Sequence, residues 1–164
     1  MKRGAKSIIA AACLAGLLGL TGAHGVAAGE TGFTLASLQG VYAGVTTIGH
    51  NVGSAAVVTT FDGEGNFSGS GMLNIPSPSG QRLIIPITFV GTYTMNANGS
   101  GTSALTVTLP DGRELHLNDD SVITQATRHG NQLLATQLFS QRRQPSQTVA
   151  GNLLVTVVST RLHD

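Results

Sequence analysis

From Thr31 to the end of the chain, apolar and polar positions alternate, and Gly, Asn, Asp, Ser and Pro clusters interrupt the alternation at short intervals. A period of two puts successive side chains on opposite faces of an extended strand. No sustained helical period occurs after Thr31, and only Thr34 to Gln39 reads as a single helical turn. The pattern predicts strands over 40–47, 55–61, 66–75, 82–95, 102–109, 114–118, 121–128, 132–140 and 148–160. Asp119-Asp120 reads as a turn between two of them, and Gln141 to Gln147 as a polar loop in which Arg142 and Arg143 are solvated. Many short strands with regular turn signals describe an all-β sandwich or barrel. Eight strands are enough to close a small barrel. The predicted fold is therefore all-β: a single eight- (to nine-) stranded antiparallel up-and-down β-barrel, preceded by an N-terminal signal peptide helix.

The frame hangs on the turn Phe61-Asp62-Gly63-Glu64-Gly65-Asn66-Phe67-Ser68-Gly69. Its Asp-Gly and Gly-Asn pairs supply the positive φ angles that a tight hairpin needs. In the strand that follows, Phe67, Gly69, Gly71, Leu73 and Ile75 share one face. Interior glycines in a strand mark a bend or the close approach of another backbone. In the long strand 82–95, Leu83, Ile85, Ile87, Phe89, Tyr93 and Met95 share a face with Gly91. Ile84 and Val90 make its other face partly apolar, and Pro86 removes a ladder donor, which suits an edge or a bulge.

The N-terminus breaks this pattern. Met1 to Lys6 is basic, Ser7 to Gly22 is uncharged and rich in Ala, Leu, Ile and Gly, and small residues follow to Ala28. That is the layout of a secretory signal peptide. A retained membrane anchor is the alternative, but the apolar run is short for a span. A lipidated Cys13 is a third reading, weakened by Ala10-Ala11-Ala12 before it. The predicted organisation is a signal peptide over 1–28, a short lead-in over 29–37 and the barrel over 38–164. Loss of Lys2, Arg3 and Lys6 leaves six Lys+Arg against eight Asp+Glu, a net charge of −2 instead of +1. The remaining chain has no Lys and no Cys, so no disulfide or thiolate chemistry is expected. Nucleic-acid binding has no electrostatic support. Contact with a membrane is expected only through the signal peptide.

The candidate chemistry is sparse. His50 and His129 fall in turns, His163 lies near the terminus, His24 belongs to the leader, and no pair has zinc spacing, so no metal or other cofactor is expected. Glu114 and His116 alternate with Leu115 and Leu117, so both point to one side of a strand. Inside a lumen they would be a base and its partner; outside, which is favoured, they are a solvated face. Tyr42 and Tyr93 complete the acid–base candidates. Asp62, Glu64, Asp111, Asp119 and Asp120 read as turn formers, without the oxygen spacing of a calcium loop. Tyr42, Phe61, Phe67, Phe89 and Tyr93 lie on or beside strands and are the candidate ligand-binding residues. They fill the lumen or line a cavity in it, and the inward glycines leave room for a modest apolar cavity.

Leu38-Gln39-Gly40-Val41-Tyr42, Phe61 to Gly69 and Gly91 to Gly101 together resemble small secreted bacterial proteins with an allene-oxide-cyclase-like, dirigent-type calycin barrel. The resemblance runs from Leu38 to about Asn118 and rests on Gly and turn residues. It implies a calycin barrel and an exported bacterial protein, periplasmic or extracellular. Plant cyclases of that fold act on a fatty-acid epoxide inside the barrel, and dirigent proteins steer the coupling of phenolic radicals, but no catalytic residue of either maps onto this chain. The Gly-x-Trp signature of the lipocalins, also calycins, is absent because the chain has no Trp. Fold alone does not transfer activity. The expected function is binding of a small apolar ligand in the lumen. The alternatives are a lumen cyclase or isomerase using Glu114, His116, Tyr42 or Tyr93, and a structural barrel acting as a homo-oligomer through its apolar fourth and last strands.

Overall fold

Period-two alternation becomes a closed wall. The computed structural model describes residues 32–49, 52–143 and 154–162. The expected signal helix, the first three residues of the lead-in, the turn residues His50 and Asn51, the start of the last predicted strand and His163 lie outside the described residues. A 3-10 turn, Leu35–Leu38, precedes eight strands. These are β1 (Gly40–Ile48), β2 (Gly53–Phe61), β3 (Asn66–Pro76), β4 (Arg82–Met95), β5 (Ser100–Thr108), β6 (Glu114–His129), β7 (Gln132–Arg142) and β8 (Val155–Arg161). Each pairs antiparallel with its neighbour in sequence, and β1 pairs with β8 from Tyr42↔Arg161 to Ile48↔Val155, which closes the barrel.

The turn at Asp62 is held as its composition requires. The Asp62 carboxylate accepts from the amides of Glu64 (2.7 Å) and Asn66 (2.9 Å) and from the Asn66 side chain (2.7 Å). Gly63 and Gly65 take φ of 81° and 110°, where only glycine is unstrained. The Asn66 side chain, then the Asn66 and Glu64 amides, hold the Asp62 carboxyl below its ordinary range. The Gly65 carbonyl in turn accepts from the Tyr93 amide at 2.8 Å, tying the turn to β4. Pro86 sits in the part of β4 that has β3 on one side and no β5 partner, so its missing donor costs no ladder bond there.

Two sequence expectations are corrected. Asp119-Asp120 is no turn: β6 runs unbroken through it, so the barrel has eight strands. Arg142 and Arg143 do not sit free in a loop. Arg142 ends β7 opposite Asp119, and Arg143 pairs with Asp120. Two adjacent carboxylates that would break an isolated strand are each met by a guanidinium from the facing strand. Beyond them a bulge near Gln125 shifts the β6–β7 register, and inward alternation skips with it, so Ala135 and Leu138 are both buried.

Leu38 of the 3-10 turn and inward positions of successive strands form the core: Tyr42, Phe61, Phe67, Phe89, Tyr93, Val107, Leu117, Ala135 and Leu138. The inward glycines are not free space. Gly91 faces Phe67 across the β3–β4 ladder, and Gly69 faces Phe89. A Cβ on Gly91 would meet Phe67 Cζ and the Ala104 carbonyl oxygen, each at 2.5 Å. Each ring lies over the facing glycine, so large and small positions interlock.

Candidate functional site

The lumen has two unlike halves. At the end where β1 begins and β2 ends, five aromatic rings pack together. Phe61 meets Tyr42 and Tyr93 edge-to-face at 5.3 and 5.2 Å between centroids and lies 5.3 Å from Phe67, which lies 6.3 Å from Phe89. Such pairs add about 0.5–1.5 kcal/mol each beyond area burial. The 3-10 turn covers this end. Tyr93 Oη donates to the Leu35 carbonyl (2.8 Å), Gln132 Nε2 to the Ala36 carbonyl (2.8 Å), and Tyr42 Oη to the Ala135 carbonyl (2.7 Å). All five sequence-chosen aromatics thus meet in one cluster, as packing against each other and the lid.

Burial pushes both phenols above their ordinary pKa, and at Tyr42 the Arg161 guanidinium opposes the rise. A phenol with a raised folded pKa stabilises the fold fully below its unfolded value of about 10 and loses that contribution as pH climbs through the folded value. The chain has two tyrosines and no Trp, so the phenolate ultraviolet band reads only Tyr42 and Tyr93. An alkaline titration of the native protein should show no phenolate where free tyrosine is already half ionised. The band should then appear together with loss of the fold. Two phenols titrating at the free value would contradict this packing.

The other half is oily and less covered. Leu73 and Ile75 of β3, Ile85 and Ile87 of β4 and Leu115 of β6 share the inward register but are only partly buried, and Leu83 is 43% exposed. Arg82 to Ile87 of β4 have no β5 partner, so the β3–β4 hairpin stands beyond the rim of β5. Apart from this apolar stretch, in the ladder row that runs from Tyr93 through Ser103, the inner wall carries an ion pair, Arg142 Nε to Asp119 Oδ1 at 2.5 Å, with the side chains 10% and 8% exposed. Ser103 pairs with Asp119 on the β5 side. A third inward charge, Arg161, ends β8, its guanidinium carbon 6.0 Å from the Tyr42 ring centroid.

His116 and Glu114 lie on the outer wall, with side chains 75% and 54% exposed. Thr106 Oγ1 is 3.0 Å from His116 Nδ1, and His116 Nε2 is 3.9 Å from Glu114 Oε2. They are therefore separated by the sheet from Tyr42 and Tyr93, and the four acid–base candidates do not converge. Two hollows among the described residues also lie on the outer wall. One, of about 670 Å³, crosses β2 to β6 and includes Thr60, Ser68, Val90, Thr106 and His116. The other, of about 1060 Å³, crosses β8 and β1 to β4 and includes Val45, Val58, Met72, Pro86 and Val158.

Sequence reasoning missed Asp119, Arg142 and Arg161 as inward residues. Parity was the available signal: Asp119 continues Leu115 and Leu117, and Arg161 continues Val155, Val157 and Ser159. Among the described residues no group of three or more His, Cys, Asp and Glu side chains could hold a metal ion, and no helix is long and apolar enough to cross a membrane. No protein family, curated protein or solved structure matches the chain.

Proposed function

We propose that this chain is exported and binds one small apolar molecule in the half of its lumen away from the aromatic cluster. The observation that carries this is the inner face of the protruding β3–β4 hairpin. Leu73, Ile75, Leu83 and Ile85 share the inward register, yet none is buried and none is among the side chains packed against the core cluster. Apolar surface left uncovered forgoes about 25 cal/mol per Å², which an apolar ligand recovers. The basic, then apolar, then small-residue order of residues 1–28 supports export. The likeness to allene-oxide-cyclase-type barrels belongs to the same proposal and assigns no residue a role. A lumen cyclase lacks support, because its four candidate groups sit on opposite sides of the wall.

A second reading has an observation of its own. Val158, Val45, Ala56, Met72 and Pro86 form one cross-strand row on the outer wall, and β1, β2 and β3 carry no charged residue. Identical uncharged faces do not repel, which suits a second copy of the chain.

One experiment separates these readings. The neutral dye N-phenyl-1-naphthylamine is titrated into wild type, Leu83→Gln and Val45→Gln, with light scattering on each. A lumen site predicts about tenfold weaker dye binding in Leu83→Gln, since an unpaired amide in an apolar wall costs about 1–3 kcal/mol. Val45→Gln should bind as wild type does. Dye binding lost only in Val45→Gln, together with a dimer that it breaks, would overturn the lumen reading in favour of the outer face.

A further inference from the structure

The inward-facing charges of the barrel do not sum to zero. Among the described residues they are Asp119, Arg142 and Arg161, and Asp119 is taken by Arg142. Arg161 takes part in none of the ion pairs among the described residues. Its Nη1 is buried and has no hydrogen-bond partner among the described residues. The Asp62 carboxylate of the aromatic-end turn makes no ion pair with it and is bonded within that turn. A guanidinium cannot shed its proton to escape burial, as a lysine can. The Tyr42 phenol interacts with the guanidinium, which lies 6.0 Å from its ring centroid, but it is neutral and brings no counter-charge. A purely structural position here would be served by an apolar side chain of similar length.

We infer that Arg161 is the receptor of a small oxyanion, a free carboxylate or phosphate, bound at the aromatic end beside the 3-10 turn. The guanidinium lies against Gly40, where a Cβ would come within 2.8 Å of Nη2, so the fork is placed by the backbone of β1. Arg161 as a whole remains only partly buried, which leaves a route from solvent. A planar fork with two edge donors matches a two-oxygen anion. This site lies at the opposite end of the barrel from the proposed apolar site and does not depend on it.

The test is thermal unfolding followed by circular dichroism, with sodium phosphate or acetate compared against sodium chloride at equal ionic strength. At a hundredfold excess over Kd the oxyanion should raise Tm by roughly 5–10 °C. Arg161→Met should abolish the rise, and Arg161→Lys should weaken binding about tenfold by replacing the fork with a point charge. Arg82→Met should leave it intact, because Arg82 is exposed and already bonded to Asn74 and Val52. Should Arg161→Met fail to fold, the Arg161 Nε–H signal in the wild-type NMR spectrum should move saturably with phosphate. No saturable effect in wild type, or an equal rise in Arg161→Met, overturns the site. So does a rise seen only in Asp164→Asn, which would mean that a carboxylate of the chain itself holds the position.

Discussion

Gly91→Ala is expected to cost about 3 kcal/mol of stability, at the upper end for overpacking, and to lower Tm by roughly 10 °C. Two contacts at 2.5 Å set the size of the effect, one to the Phe67 ring and one to the Ala104 carbonyl of the neighbouring strand. The ring can rotate aside; the carbonyl is held in the β4–β5 ladder. Shrinking the ring with Phe67→Leu in the Gly91→Ala background should therefore recover only part of the loss. Gly44→Ala is the contrasting case. Its added Cβ would meet the Ser159 hydroxyl and a Val57 methyl at 3.0 Å, and both can yield. Its cost should be clearly smaller. Urea unfolding of the three variants measures this, and a Gly91→Ala protein within about 0.5 kcal/mol of wild type would refute the interlocked packing of β3 and β4.

Arg142→Met should cost about 3–5 kcal/mol, because it leaves the buried Asp119 carboxylate without its counter-charge. In a domain whose whole stability is about 5–15 kcal/mol, that brings the fold close to its limit. Asp119→Leu, which strands the guanidinium instead, should be costly too. The double variant Asp119→Leu/Arg142→Met removes both charges and should regain most of what either single change loses. The outer pair Arg143–Asp120, one residue along each strand, has side chains 48% and 57% exposed, and its removal should matter far less. Denaturant unfolding of this four-protein cycle gives the coupling directly. If the two single losses simply add in the double variant, the pair does not act as a unit.

The two sets of variants also act on different parts of the lumen. Gly91→Ala disturbs the aromatic end, where rings leave little free space. The ion-pair changes act on the inner wall of β6 and β7, in the ladder row that runs through Ser103 to Tyr93. Dye binding measured on the Asp119→Leu/Arg142→Met protein therefore reports whether the charges serve the ligand or only the wall.

Local chemistry was enough to read most of the barrel. Strand 82–95 has the same bounds in sequence and structure, because its alternation is long and ends at strong turn signals. The turn at Asp62 could be read for the same reason, since all its bonds lie within five residues. Asp119-Asp120 was misread because a pair of acids after Asn118 looks like a turn when viewed alone. The arginines that keep it extended come 23 residues later in the chain, across a ladder the sequence does not display. The inward glycines were read as spare room for a related reason. Their parity was visible, but the Phe89 ring over Gly69 and the Phe67 ring over Gly91 depend on the β3–β4 register.

By itself the sequence determined most of the strands, their alternation and most of their turns, because two-residue periodicity and turn chemistry act over a few bonds. Only the tertiary structure decided that eight strands close on one another, that aromatic rings occupy one half of the lumen, and that, among the described residues, one of three inward charges has no counterpart. Those outcomes depend on register and on which distant side chains become neighbours, and a linear pattern carries neither.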